Sequence, residues 1–173
     1  MVGYVKPSNR TVVAGNPLVQ EEEIETVTNM YAGRLVIKGT GDGQISVCGA
    51  GGAAIGWLGY EHTNPKYRPA SRSTIYTVNS IVSVLNGPGI VVVGRLASGQ
   101  NVAKGARLVA AANGELTAAS AAAIPSGATT VTSSSAQPTV TGPLSTQGIV
   151  VAIAEESVDA SGGAQDIMVR NMI

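Results

Sequence analysis

The sequence predicts an all-β fold, a compact β-barrel or β-sandwich with long surface loops. Short apolar runs rich in Val, Ile and Thr recur along the 173 residues, and glycine-rich or Asn-Gly turns separate them. Strand-length runs with this spacing are typical of barrels and sandwiches. Helix-forming patterns are confined to two segments. Residues 21–25 could form one turn, and the alanine-rich residues 116–124 are equally compatible with a helix and with a strand that runs into a loop.

Alternating or continuous apolar patterns define the individual strands. The turn Asn86-Gly87-Pro88-Gly89 is expected to join two of them, residues 80–85 and 90–93, into a hairpin. No charged residue occurs between positions 116 and 154, and within that stretch the Ser-, Thr- and Gly-rich residues 125–147 predict a long surface loop. The predicted strands cover residues 34–37, 44–48, 74–78, 80–85, 90–93, 107–110, 148–154 and 166–172.

Two parts of different character are expected along the chain. Residues 1–30 have Pro and Gly at positions that prevent a stable local element, so they are predicted to form an extended N-terminal arm, followed by a single β domain over residues 31–173. Within that domain the pattern of residues 31–61 recurs in residues 105–155: an Arg-Leu-Val run, a turn with an acidic residue, and an apolar strand that ends in glutamate. This echo indicates one strand-turn-strand unit used twice, and chance similarity between glycine-rich β segments is the alternative.

The composition limits the function classes. Eleven basic residues balance eleven acidic ones, so no basic field steers the chain to nucleic acid or to an anionic membrane, and neither is expected as a partner. A single cysteine, Cys48, and a single histidine, His62, exclude an internal disulfide and the usual multi-ligand zinc sites. No apolar run has the length of a membrane span, and the first residues do not have the pattern of a signal peptide, so synthesis in the cytoplasm is expected.

Several patterns that could carry chemistry have plainer explanations. Residues 48–54 contain G-x-G-x-x-A after an apolar strand, but glycines and a proline follow where a dinucleotide site needs a helix. Cys48 has only the loop residue His62 as a candidate base, which favours a small core residue over a nucleophile. Adjacent acidic residues at 155–156 point to opposite strand faces, and those of 21–25 indicate a solvated patch. No catalytic, cofactor-binding or metal-binding residue is therefore predicted.

Nine residues are predicted to contact a partner protein. Residues 61–72 form a basic, aromatic-bearing segment, which could stack on single-stranded nucleic acid but favours docking on an acidic protein surface. The arm is expected to add a strand to the open sheet edge of a neighbour and so gain main-chain hydrogen bonds. The contact residues predicted in these two segments are Tyr4, Val5, Pro7, Val12, Val13, Lys66, Tyr67, Arg68 and Arg72.

The C-terminal half resembles the head decoration (capsid cement) proteins of tailed phages or related viruses. In these β-rich proteins a glycine turn, an apolar strand with small residues and a final Val-Arg strand recur in that order. The match covers residues 96–173 with a fainter echo in residues 31–61, and the chain is longer than the small members of the family. The segments that carry the resemblance are Leu96-Ala97-Ser98-Gly99-Gln100-Asn101-Val102-Ala103-Lys104-Gly105-Ala106-Arg107-Leu108-Val109, Asn113-Gly114-Glu115-Leu116, Gly148-Ile149-Val150-Val151-Ala152-Ile153-Ala154-Glu155-Glu156-Ser157-Val158-Asp159-Ala160 and Ile167-Met168-Val169-Arg170.

The resemblance implies a β-tulip-like barrel and a non-enzymatic virion protein, made in the host cytoplasm and seated on the exterior of an icosahedral capsid. It also implies the major capsid protein as partner and self-association, usually as a homotrimer, without a cofactor. The alternative is a host-surface or carbohydrate-binding β module of a head fibre or tail, although aromatic residues, which such sites use, make up only 3% of the chain. An enzyme would need ligands that the residues do not supply.

Overall fold

The computed structural model describes residues 5–120 and 148–173, together with the backbone of residues 130–132 and 139–141. The all-β prediction is confirmed: across these residues the regular structure is strand, apart from one 3-10 turn, Ala112–Gly114. In chain order the strands are β1 (Val12–Ala14), β2 (Leu18–Ile24), β3 (Leu35–Lys38), β4 (Gln44–Val47), β5 (Gly56–Leu58), β6 (Ile81–Asn86), β7 (Val91–Leu96), β8 (Asn101–Val102), β9 (Arg107–Ala110), β10 (Leu116–Ala118), β11 (Thr130–Thr132), β12 (Thr139–Thr141), β13 (Val150–Ala154), β14 (Val158–Asp159) and β15 (Gln165–Asn171).

Five strands of the N-terminal half close into a barrel in the order β2-β4-β3-β5-β6. β2 and β4 run parallel, and every other neighbouring pair, including the closing pair of β6 and β2, is antiparallel. Alternate side chains point inward, because successive residues of a strand face opposite sides of the sheet. The buried apolar interior contains Ile24, Met30, Val36, Ile45, Leu58, Tyr76, Val82 and Val84.

Five strands of the C-terminal half form a second closed ring in the order β7-β10-β9-β13-β15, since β15 returns to pair with β7. β7 and β10 are parallel, and the other pairs are antiparallel. β1 pairs with β7 near residues 91–92, away from Leu96, where β10 pairs. The interior of this second barrel contains Val92, Leu96, Leu108, Leu116, Ala152, Ala154, Ile167 and Val169.

The two barrels have the same topology and the same register. The strands β2, β3, β4, β5 and β6 correspond in order to β7, β9, β10, β13 and β15. The parallel pair Ile24–Ile45 of the first barrel corresponds to Leu96–Leu116 of the second, and all four side chains are buried. The structural repeat is therefore a whole five-stranded barrel, larger than the strand-turn-strand unit that the sequence echo indicates.

A pair of glycines shows how the repeats align. Gly33 and Gly105 both have a positive φ, 83° and 87°, a conformation that glycine adopts without steric cost. The Gly33 N–H donates at 2.8 Å to the Leu58 carbonyl of β5, and the Gly105 N–H donates at 2.8 Å to the Ala154 carbonyl of β13, the strand that corresponds to β5. The sequence echo aligns the Arg-Leu-Val runs instead, which differs from the glycine alignment by one residue. A one-residue shift exchanges the two faces of a strand, so only the glycine alignment superimposes core on core.

An outward-facing row of the first barrel joins it to the second. Leu35, Trp57 and Leu85 are neighbours across β3, β5 and β6, and all three are fully buried in the larger apolar cluster. The indole of Trp57 lies against Gly94 of β7, where a Cβ atom would come within 2.7 Å of the ring. Its Nε1–H donates to Asn171 Oδ1 at 2.8 Å. The indole therefore anchors the first barrel to two strands of the second.

The prediction of an extended N-terminal arm over residues 1–30 is wrong for most of that range. β1 pairs with β7, and β2 is a full member of the first barrel. The Gly-Asn-Pro sequence at 15–17, which was expected to prevent local structure, is the connection between these two strands. Their partners lie far along the chain, Val12 opposite Val92 and Leu18 opposite Asn86, so no local pattern reveals them.

Four further expectations need correction. β6 pairs with β2 and β5 whereas β7 pairs with β1, β10 and β15, so the expected hairpin is instead the passage from one barrel to the other. Residues 74–78 are irregular rather than a strand, and the residues 21–25 lie mainly in β2. Part of the predicted loop 125–147 forms the ladder of β11 and β12, and the remainder lies outside the described residues. Among the described residues no helix has the length and apolarity needed to span a membrane.

Candidate functional site

Residues 61–72, called here the basic loop, follow β5 and are held in shape by a central asparagine. The Asn64 carbonyl accepts the N–H of Tyr67 at 2.9 Å and that of Arg68 at 3.1 Å. The Asn64 side chain accepts the N–H of Lys66 at 3.0 Å. Asparagine is well suited to such a turn because its short side chain can bond backbone groups two residues ahead. The loop thus presents its basic residues from a hydrogen-bonded turn.

Aromatic rings hold the two exposed cations of the basic loop. The Arg68 guanidinium lies 5.4 Å from the centroid of the Tyr60 ring, and Lys66 Nζ lies 5.4 Å from that of Tyr67. The Tyr60 hydroxyl is in turn 3.2 Å from the Pro69 carbonyl oxygen. Cation–π contacts at exposed sites are worth about 0.5–1 kcal/mol each. This is enough to bias the two side chains toward one arrangement while both remain accessible.

The two ends of the basic loop are tied to the second barrel and its added strand. The Glu61 carboxylate accepts the N–H groups of Thr11 and Val12, each at 2.7 Å. At the other end Arg72, only 11% exposed, pairs with Asp166 of β15. Arg72, predicted as a partner contact, therefore belongs to the framework of the molecule, and Glu61 occupies main-chain donors that an added strand would need.

The N-terminal contact residues are placed differently from one another. Tyr4 lies outside the described residues. Val5 is 81% exposed and Pro7 is half-buried. Val12 and Val13 pack within the chain. Val12 packs against the larger apolar cluster, and Val13 packs against a small cluster of Val91, Val93 and Met168. The exposed members of the predicted set are therefore Val5, Lys66 and Arg68, and Tyr67 of the basic loop is half-buried like Pro7.

A cleft of about 680 Å³, called here the junction cleft, lies between the two barrels. Its walls are residues 6–8, residues 29–34 before β3, the end of the basic loop, and strands β7 and β15. Within the described part of the chain its charged lining residues are four cations and one carboxylate, namely Lys6, Arg34, Arg72, Arg95 and Asp166.

The cations of the junction cleft share fewer carboxylates than their own number. Asp166 forms ion pairs with two of the four cations, and each of the other two cations pairs with a glutamate that does not line the cleft. The ion pairs are Arg72 with Asp166, Arg95 with Asp166 at 3.1 Å, Lys6 with Glu156 at 2.6 Å, and Arg34 with Glu115 at 2.6 Å. Four positive charges therefore face three negative ones.

The candidate nucleophile is unsuited to that role. Cys48 is fully buried and its thiol lies 3.3 Å from the Gly49 carbonyl oxygen. Burial raises the pKa of the Cys48 thiol, which keeps it protonated, whereas a nucleophilic cysteine needs a lowered pKa. The glycine-rich residues 49–52 form a turn, and the chain continues into β5 rather than into a helix. Within the described residues, no three His, Cys, Asp or Glu side chains come together as a metal site.

The acidic run of residues 21–25 is only in part the solvated patch that was expected, since Glu21 is exposed but Glu22 and Glu25 make internal contacts. Glu22 is buried and pairs with Lys38 of β3, the strand on the far side of β4. Glu25 accepts hydrogen bonds from the Ser46 hydroxyl at 2.6 Å and from the Thr40 N–H at 3.2 Å. These hydrogen bonds, that of Ser46 first, lower the pKa of the Glu25 carboxyl. Glu22 and Glu25 therefore connect this part of the chain to β3 and to β4.

No sequence pattern predicts the junction cleft. Its charged residues are scattered from position 6 to position 166, and only Arg72 belongs to the predicted contact set. The closure of two barrels and the return of β15 to β7 bring them together. Comparisons with protein-family models and with curated proteins found no match for this chain.

Proposed function

We propose that this chain is a non-enzymatic structural protein of a virion, which binds the exterior of an icosahedral capsid and stabilises it. The resemblance of residues 96–173 to capsid cement proteins is the starting point. Its partners are the major capsid protein and further copies of itself, arranged as a homotrimer. The chain acts by binding alone, so the proposal requires a surface suited to another protein.

The observation that carries the proposal is the basic loop. Lys66 and Arg68 are exposed beside aromatic rings, and Asn64 holds their backbone. Because the loop is already ordered by its own hydrogen bonds, binding removes little further conformational freedom. Cations and a tyrosine side by side complement an acidic protein surface, since charge steers the encounter and the ring supplies contact area.

Exposed apolar side chains support the self-association in this proposal. Residues 24–30 and 76–80 run side by side at one end of the first barrel, where the Asn79 N–H donates to the Ile24 carbonyl at 3.0 Å. Grouped exposed apolar residues are typical of protein contact surfaces. A trimer would present three basic loops, and many copies on one shell make weak contacts strong collectively. The exposed apolar residues of this end are Val27, Ile75, Val78 and Ile81.

Capsid binding is tested with empty shells assembled from the major capsid protein whose gene neighbours that of this chain. Wild-type protein is expected to sediment with the shells. The double variant Lys66→Ala/Arg68→Ala is expected to lower the affinity at least about tenfold, since two charged contacts are lost. The matched control is Lys104→Ala/Arg107→Ala, which removes two exposed cations from the second barrel. Failure of the wild type to sediment would overturn the proposal, and equal losses in both double variants would remove the role of the basic loop.

Self-association is tested by light scattering. A homotrimer has three times the 17.4 kDa mass of the chain. Val78→Ser/Ile81→Ser is expected to shift the mass toward the monomer because it removes apolar contact area. Ile149→Ser is the control, since Ile149 is equally apolar and exposed but lies on the second barrel. A monomeric wild type at tens of micromolar, roughly the range in which a specific interface holds, would contradict the trimer.

A further inference from the structure

The junction cleft is lined mainly by basic residues, although the chain as a whole has no net charge. Four of the 11 basic residues line it, but only one of the 11 acidic residues does. Clefts between two closed units are also frequent positions of ligand sites. The charge and the location both indicate a site for an anionic ligand.

We propose that the junction cleft binds the carboxylate side chains of an acidic peptide segment. The segment would belong to the capsid partner, so this identification rests on the proposed function. Carboxylates are the groups that already contact each of the cleft cations, which shows that the arrangement suits them. The planar fork of an arginine matches a carboxylate in geometry as well as in charge.

The cations of the cleft divide into two buried and two accessible ones. Arg34 and Arg72 are 13% and 11% exposed and hold the walls together. Lys6 and Arg95 are 32% and 38% exposed, so their donors can reach a ligand. The Lys6 ammonium also donates to the Asp166 main-chain carbonyl at 2.7 Å. Asp166 of β15 lies directly opposite Arg95 of β7, so Lys6 and Arg95 are close together in the cleft. These two residues are the expected ligand contacts.

Asp166 acts as an internal competitor for the ligand. Its carboxylate accepts from Arg95 Nη1 at 3.1 Å and also pairs with Arg72, so an incoming carboxylate must share these guanidinium groups with it. Removing the charge of Asp166 would leave both arginines available. The proposal therefore predicts opposite effects for a cation and an anion of the same cluster, which a purely structural role does not.

The size of the cleft favours a peptide over a single small anion. A volume of about 680 Å³ is within the usual range of ligand pockets, roughly 300–1,000 Å³, and a single carboxylate fills little of it. Neutral polar groups between the cations, the hydroxyls of Ser71 and Ser73 and the amide of Asn29, can bond the main chain of a bound segment. The ring of Tyr31, 5.7 Å from the Arg34 guanidinium, adds an apolar surface.

The test uses calorimetric titration with an acetylated and amidated hexaglutamate peptide at low salt. Hexaglutamine is the neutral control peptide, and citrate represents a free polycarboxylate. Wild-type protein is expected to bind hexaglutamate, to bind citrate more weakly, and to ignore hexaglutamine. Arg95→Gln and Lys6→Gln are each expected to weaken hexaglutamate binding about tenfold, as loss of one charged hydrogen bond does. Asp166→Asn is expected to strengthen it.

The matched control variant is Arg170→Gln, which removes a half-exposed arginine of β15 that pairs with Glu155 outside the cleft. Melting temperatures show that each variant is folded. An equal loss in Arg170→Gln, absence of hexaglutamate binding, or citrate binding as tight as hexaglutamate binding would each overturn the proposal. Shell binding without hexaglutamate binding would overturn this inference alone. Hexaglutamate binding without shell binding would overturn the proposed function, and with it the capsid origin of the segment, but not the site for an acidic segment.

Discussion

The two barrels share topology and register but present different residues at corresponding outward positions. In the first barrel the row across β3, β5 and β6 is Leu35, Trp57 and Leu85, all fully buried. The corresponding row of the second barrel, found from the shared register, is Arg107, Ile153 and Arg170, and both arginines are exposed. The backbone is the same in the two barrels, so these side chains decide which barrel wall becomes a joint and which remains at the surface.

The inner positions of the two barrels, by contrast, are interchangeable in character. Ile45 and Leu116 occupy corresponding places, as do Val84 and Val169, and all four are fully buried. Closing a small barrel requires inward apolar side chains on alternate positions, whichever partner lies outside. Corresponding core positions therefore keep their character, whereas the outward positions have become different surfaces.

The largest expected effect comes from removing the residue in which the two rows differ most. Trp57→Ala should destabilise the protein by about 3–5 kcal/mol, because it leaves a cavity at the joint and removes the hydrogen-bond donor of Asn171 Oδ1. Ile153→Ala, at the corresponding position of the second barrel, should cost less than about 2 kcal/mol because Ile153 is only half-buried. Urea denaturation measures both. Similar losses would mean that the joint contributes no more than the exposed wall.

Adding a methyl group at the joint tests the same contact from the other side. In Gly94→Ala the new Cβ would lie 2.7 Å from the Trp57 ring and 3.1 Å from Leu116 Cδ1, so the neighbours must shift. Overpacking of this kind costs about 1–3 kcal/mol. Gly162→Ala is the control in the same barrel, since no atom lies within 4 Å of its added Cβ. A melting temperature of Gly94→Ala equal to that of the control would contradict a tightly packed joint.

A smaller difference lies at the ends of the barrels. At one end of the first barrel Tyr76 is buried, and its hydroxyl donates to the Gly59 carbonyl at 2.6 Å. In the second barrel the β14–β15 connection buries the much smaller Ala160. Tyr76→Phe should destabilise the protein by about 1 kcal/mol, the usual net value of one hydrogen bond. Tyr67→Phe is the control, because the Tyr67 hydroxyl makes no hydrogen bond within the described residues.

The same tyrosine gives a spectroscopic check. Burial is the main cause that raises the pKa of Tyr76 from 10.0 to about 12. Ultraviolet titration of the folded protein should therefore show a tyrosine with a midpoint near 12 that disappears in Tyr76→Phe. Because the unfolded tyrosine ionises first, stability should fall as the pH rises from 10.0 toward 12. Titration of all tyrosines near pH 10.0 would contradict the burial.

Local patterns predict much of the strand content but little of its arrangement. The runs at 34–37, 44–48 and 107–110 are strands close to the expected bounds, because alternation of apolar residues is a property of neighbouring positions. The N-terminal arm and the hairpin were wrong because strand pairing is decided by partners far along the chain. The exposed cations of the basic loop are visible as a local run. The junction cleft combines residues from both barrels, so it follows only from the fold.

The smallest expected effect concerns a carboxylate that only the first barrel has. Glu25 and Ala97 correspond, since their N–H groups donate to the corresponding carbonyls of Ile45 and Leu116. The Glu25 carboxylate also accepts hydrogen bonds from the β3–β4 hairpin, which lower its pKa from the ordinary 4.5. A carboxyl whose pKa is lower in the folded state stabilises the fold above pH 4.5, and this contribution is lost as the pH falls through the folded pKa.

Glu25→Ala gives the first barrel the residue of the second and should therefore destabilise the protein slightly at pH 7. This loss should be smaller at pH 2, because the wild-type carboxyl takes up its proton as the pH falls. Urea midpoints at the two pH values measure the difference, and the carbon NMR titration of Glu25 should have its midpoint below 4.5. Glu21→Ala removes an exposed carboxylate from the same strand and should show no such pH-dependent loss. If Glu25→Ala lowers the midpoint equally at both pH values, packing of the side chain rather than its charge stabilises the hairpin, and the two barrels differ there in shape alone.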